Sequence, residues 1–159
     1  MDTTKKTIIV FSGDLDKLIA AFIIANGAAA MDDEVTMFFT FWGLTALRRP
    51  EKVPAGGKSL LQKAFATMLP RGPERAGLSH LNFGGAGPRL MKRVMRQQNV
   101  TSLHELIDTA REQGVKFVAC TMSMDVMGFS KDELIDGVEF AGVATYLGEA
   151  DEANVNLFI

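Results

Sequence analysis

Thr7-Ile8-Ile9-Val10-Phe11-Ser12-Gly13-Asp14 is the stretch that decides the fold class. A run of β-branched and aromatic residues closed by Ser-Gly reads as a short strand buried on both faces, because a strand with one wet face would alternate with polar residues. Asp14 or Ser12 can then cap a helix, and the Ala-, Leu- and Ile-rich stretch that follows predicts one over Leu15–Met31. That helix is apolar on most sides after Lys17, so it should be buried by the sheet and by another element or subunit.

Reading outward, Asp32-Asp33 turns the chain, and Glu34 to Phe41 repeats the strand pattern, ending at Trp42-Gly43. Val115 to Cys120 forms a third apolar run and Asn154 to Ile159 a last one. Between the last two, helical turns are expected at Ser123–Val126 and Lys131–Ile135, and a helix over Phe140–Glu149. Ser102 followed by Glu105 fits a capping box, and Leu103, Leu106, Ile107 and Ala110 give the apolar stripe of a helix that ends at Gly114. Strands alternating with helices require right-handed crossovers and a parallel sheet covered on both faces. The expected fold is a flavodoxin-like three-layer α/β sandwich, with a mostly parallel sheet of about five strands, in one domain spanning 1–159.

An irregular excursion at about 48–100 interrupts this pattern. It holds every proline of the chain (Pro50, Pro54, Pro70, Pro73 and Pro88) and the pairs Gly56-Gly57 and Gly84-Gly85. Short helices are expected near Leu44–Arg48 and Lys58–Met68, and a basic helix over Pro88–Gln98 with Pro88 in its first turn. The net charge of −2 conceals how this segment is built. From Arg48 to Arg96 there are 11 basic residues against Glu51 and Glu74 alone, a local charge of +9 that leaves −11 on the rest. A nucleic-acid role fits poorly, because the pI is about 5.7 and the segment's aromatics are only Phe65 and Phe83. A basic face for an acidic protein, another subunit or a small anion fits better.

Cys120 is the single cysteine. One thiol excludes an intramolecular disulfide framework and a multi-cysteine zinc site, and a reducing, cytoplasmic setting is the default. The run Ile8–Phe11 is too short for a signal peptide, and the longest uncharged stretch, Leu18–Met31, is 14 residues, short of the roughly 20 that a membrane helix needs. His80 and His104 have no Cys or His at ligand spacing, so no metal site is expected; His104 can meet Asp108 one turn on. Asn82-Phe83-Gly84-Gly85-Ala86-Gly87 lacks the Gly-Lys-Ser/Thr ending of a phosphate loop.

Ligands of parallel sheets sit beyond the carboxyl ends of the strands. Three such ends are readable: Ser12-Gly13-Asp14, Thr40-Phe41-Trp42-Gly43 and Cys120-Thr121-Met122-Ser123. Backbone N–H groups of Thr121 to Met124 could face the Cys120 sulfur, a usual route to a reactive thiolate. The same position also suits a small buried hydrophobe. Met122, Met124 and Met127 could collar a sulfur ligand or fill core gaps, and Asp125 could orient a loop or start a helix.

The blocks Ile8-Ile9-Val10-Phe11-Ser12-Gly13-Asp14-Leu15-Asp16-Lys17, Met37-Phe38-Phe39-Thr40-Phe41-Trp42-Gly43, Met68-Leu69-Pro70-Arg71-Gly72-Pro73, Ala119 to Gly128 and Gly142 to Gly148 occur in this order. Together they resemble the DsrE/DsrF-like sulfurtransferase superfamily, in particular its DsrE-type subgroup, often labelled peroxiredoxin family proteins. The resemblance implies a homo-oligomer and a cysteine that carries sulfane sulfur as a persulfide, a role only Cys120 can take here. It implies no metal or organic cofactor, and a partner such as a TusA-like sulfur carrier or a rhodanese. Thr40, Trp42, Thr121, Met122, Ser123, Asp125 and Arg71 are the expected substrate- or partner-binding residues around it. The competing expectations are a non-enzymatic scaffold subunit with an inert Cys120 and a thiol peroxidase, which would need a resolving thiol from elsewhere.

Overall fold

The structure is a computed structural model that describes residues 3–54 and 56–159. The first strand, β1 (Lys5–Val10), leads into α1 (Leu15–Ala29), and β2 (Glu34–Phe39) into a 3₁₀ segment, Phe41–Leu47. The excursion carries α2 (Leu60–Met68) and α3 (Ala86–Gln97). The chain then forms α4 (Leu103–Glu112), β3 (Lys116–Cys120), α5 (Thr121–Met127), β4 (Val138–Ala141), α6 (Val143–Asp151) and β5 (Val155–Phe158). The strands form one five-stranded sheet of order β4-β3-β2-β1-β5, and every pairing is parallel.

Two expectations are corrected. Val138–Ala141 is an edge strand, and the following helix begins at Val143, not Phe140. Gly137, at φ 84°, and Gly142 bracket the strand, and its four residues are too few to display a period. The segment expected as a short helix near Leu44–Arg48 is the longer 3₁₀ run that starts at Phe41. The capping box of α4 forms as expected, Ser102 accepting from the Glu105 N–H while the Glu105 carboxylate accepts from the Ser102 N–H.

Strand order explains the two faces. From β1 to β4 each crossover advances one place in the same direction, so right-handedness puts α1, the α2–α4 excursion and α5 on one face. The last crossover runs back across the whole sheet, which puts α6 on the other. Packing follows this division. Ile8, Val10, Met37, Phe39, Phe117 and Ala119 join the large core with Phe22 of α1, Leu106 of α4 and Met124 of α5. The alternate residues Phe38, Val118 and Cys120 form a small separate cluster with Tyr146 of α6. One face is thickly covered; the other carries a single helix of nine residues.

The excursion is held by a buried ion cluster. Arg48 is 0% exposed and packs 4.3 Å from the Phe129 ring centroid. Its Nη1 donates to the carbonyls of Ala66, Leu69 and Pro70 at 3.0–3.1 Å, and its Nη2 to Glu133 at 3.0 Å. Lys58 also donates to Glu133, and Arg71 lies 3.7 Å from it. Burial, with the nearby Arg71 adding to it, pushes the Arg48 guanidinium down to about 10, which leaves a cation at neutral pH. Part of the basic charge is therefore turned inward.

Candidate functional site

The site is built where β2 and β3 end. Cys120 is the last residue of β3 and the N-cap of α5, with extended backbone (φ −69°, ψ 114°). Its register partner on β4 is Ala141. From this pair the chain leaves in opposite senses: α5 turns to the thick face and α6 to the thin one. The β3–β4 boundary is thus the switch point of the sheet, where parallel α/β folds open a crevice for ligands. The only thiol of the chain sits at that boundary and its side chain faces the α6 side.

In the single chain the sulfur is covered. Cys120 is 4% exposed, against Phe38, Val118 and Tyr146, with Ile9, Ala141 and Ala150 packed around the cluster. Tyr146 tilts on Phe38 with centroids 5.0 Å apart, and its hydroxyl lies 3.3 Å from that of Thr7. At its other end α6 is pinned by Glu149, which accepts from Thr36 at 2.9 Å and from Lys116 at 2.5 Å. The Lys116 hydrogen bond holds the Glu149 carboxyl below its ordinary range, and the same bond raises the ammonium of Lys116.

The strand ends expected to share an edge do so. The Thr40 N–H donates to Val10, that of Gly43 to Phe11, and the Thr40 and Ser123 hydroxyls meet at 2.7 Å, tying β2 to α5. Ser123 is buried. The Thr121 hydroxyl reaches the Ala141 carbonyl only at 3.5 Å. Met122 and Asp125 are exposed on α5, and the Asp125 carbonyl accepts from Gln62 of α2 at 2.7 Å. Met124 and Met127 belong to the large core, so only Met122 is free to act as a soft surface contact. Trp42 is largely exposed, 6.3 Å from Phe65 between ring centroids. It helps line a 490 Å³ cavity with Ser12, Asp14, Lys17 and Asn82 at the end of β1.

Arg71 stands apart. It is drawn to Glu133 on the thick face, whereas the Cys120 side chain faces the thin one. Two features of the site escaped the sequence reading. Tyr146 walls the thiol, and its only signal was its place in the Gly142–Gly148 block. Gly43 lies so close to β1 that a Cβ there would meet the Val10 carbonyl oxygen at 2.1 Å. Among the described residues no group of three or more His, Cys, Asp or Glu side chains could hold a metal ion. No helix among them is long and apolar enough to cross a membrane.

The model of the DsrE/DsrF/DrsH-like family matches residues 3–158. The chain belongs to that family. It is 55% identical over 157 residues to the uncharacterized protein YrkE of Bacillus subtilis, covering 99% of this chain and 98% of that one. It is 35% identical over 166 residues to the Sulfur carrier protein DsrE2 of Allochromatium vinosum, covering 100% of both. Among solved structures, the ychN protein of E. coli superposes with a TM-score of 0.58 at 15% identity, over 99% of this chain and 100% of that one. MTH1491 of Methanobacterium thermoautotrophicum gives 0.56 at 13% identity, over 98% and 99%. These two likenesses show the fold, the parallel α/β sandwich described above.

Proposed function

We propose that the protein traffics sulfur, accepting and donating sulfane sulfur as a persulfide on Cys120. The observation that carries this reading is the placement of the chain's one thiol at the β3–β4 switch point, in a family that includes a named sulfur carrier. The exchange is balanced without an electron acceptor. The Cys120 thiolate attacks the outer sulfur of a donor persulfide, the donor's S–S bond breaks, and the donor thiolate leaves with the bonding pair. An acceptor thiolate then attacks the outer sulfur of the Cys120 persulfide and Cys120 leaves as thiolate. With no second cysteine in the chain, both steps join two proteins or a protein and a small donor. A TusA-like carrier or a rhodanese fits the partner role.

The residues bordering Cys120 take supporting roles. Thr40 and Ser123 lock the loop after β2 to the start of α5, while Trp42, Thr121, Met122 and Asp125 face a docking partner. Arg71 acts on this site only through the excursion that it helps to hold. The thin face supports a homo-oligomer, since Val143, Leu147 and Phe158 are exposed there.

The burial of Cys120 favours a second reading, an inert cysteine in a scaffold subunit. Thiol titration of the native protein separates the two. Reaction of Cys120 at neutral pH without unfolding supports the carrier, and reaction only on unfolding supports the scaffold.

A further inference from the structure

An amphipathic helix normally turns its apolar stripe inward. In α3 (Ala86–Gln97) only Pro88, Lys92 and Met95 turn toward the body, and most of the apolar side chains face outward. Pro88 is its only buried residue, and Lys92 holds the helix to the body by donating to the Glu74 carbonyl at 2.7 Å and its carboxylate at 3.1 Å. Leu90, Met91 and Val94 are exposed, with Leu90 at 65%. Arg89, Arg93 and Arg96 are exposed beside them.

The turn before α3 extends the same ridge, and it is built to hold its shape. The Gly85 and Gly87 N–H groups donate to the Asn82 carbonyl at 2.8 and 3.1 Å, and the Asn82 side chain accepts from the Leu78 N–H at 3.1 Å. A Cβ on Gly87 would meet the Leu81 carbonyl oxygen at 1.9 Å, so the turn closes only with glycine there. It presents Leu81 at 70% and Phe83 at 74% exposure, both at positive φ (58° and 43°). Holding non-glycine residues in that region costs energy, and neither side chain is buried in return.

From Arg75 to His104 the chain has five Lys/Arg residues and no Asp or Glu. The combination is a fixed apolar tip, an outward aliphatic ridge and arginines without a carboxylate among them. It matches a broad, uniformly negative surface with hydrocarbon beneath it, which is the interface of an anionic bilayer. We propose that the turn at Leu81–Gly87 and α3 form a peripheral membrane-docking surface for anionic phospholipid, with Phe83 and Leu90 entering the headgroup layer and Arg89, Arg93 and Arg96 meeting phosphates. The inference is independent of the sulfur chemistry.

The test is flotation of the whole protein with vesicles of phosphatidylglycerol and phosphatidylcholine, against phosphatidylcholine alone. The expected result is binding only to the anionic vesicles, weakened by salt. Arg89→Gln and Arg93→Gln should each lower partitioning about fivefold. Phe83→Ser with Leu90→Ser should lower it at every salt concentration, with an unchanged melting temperature because both side chains are exposed. Failure to float with anionic vesicles at low salt would overturn the proposal, as would flotation that all these variants leave intact. A wild-type oligomer that the Phe83/Leu90 variant dissociates, with no vesicle binding, would also overturn it and assign the ridge to a second copy.

Discussion

At the scale of single residues, Cys120 and Gly43 show what sequence can and cannot disclose. Cys120 at a strand end was legible because a β-branched run ending in Cys-Thr-Met-Ser marks the end of a buried strand. Its burial was one of the two readings the position allowed, but what covers it was not legible, because Tyr146 lies 26 positions downstream on α6. Gly43 was legible as the end of the second strand pattern, but not as a point of close backbone approach. The structure puts its Cα against β1, where the Val10 carbonyl leaves no room for a side chain. Gly43→Ala should therefore destabilise the protein by about 2 kcal/mol or more, since backbone rather than a flexible side chain must move. Urea unfolding measures this, and a change within about 0.5 kcal/mol, the ordinary range for a surface substitution, would show that the edge is looser than described.

At the scale of elements, apolar runs and capped, periodic helices were readable, and a strand held between two glycines was not. The helix α4 could be read because its capping box and stripe are local. The strand β4 escaped because four residues between glycines carry no period. Two helices of the excursion were legible, near Lys58–Met68 and over Pro88–Gln98, but not what folds them in, the convergence of Arg48, Lys58 and Arg71 on Glu133, as many as 85 positions apart. Breaking a buried pair leaves an uncompensated charge, so Glu133→Ala should cost about 3–5 kcal/mol in equilibrium unfolding. The pin at the end of α6 gives a pH prediction. The carboxyl of Glu149 is lowered in the folded state, so its stabilisation is full above its ordinary value of 4.5 and is lost as pH falls below that. The stability difference between wild type and Glu149→Gln should be largest near neutral pH and close in the acid range. A difference that stays constant across that range would contradict the pinning role.

At the scale of the whole molecule, the sheet order matters most. Alternating strands and helices made a parallel α/β sandwich legible, but not the return crossover that leaves α6 alone on one face. That asymmetry puts the thiol beneath a single helix and leaves Val143, Leu147 and Phe158 exposed. An exposed apolar set on the thin side of a sheet fits the homo-oligomer proposed above. Leu147→Asp should therefore lower the oligomeric state seen by light scattering. A wild-type protein that is already monomeric at high concentration would refute this. The charge layout also resolves at this scale. The +9 of the excursion divides into an inward part that folds it and an outward part on α3.

The central claim is that Cys120 carries sulfane sulfur, and intact-protein mass spectrometry tests it directly. After incubation of the native protein with polysulfide, or with thiosulfate and a rhodanese, the account predicts a gain of one sulfur atom. The adduct should be removed by excess thiol and be absent in Cys120→Ser. A native wild-type protein that gains no sulfur, while the unfolded chain does, would contradict it.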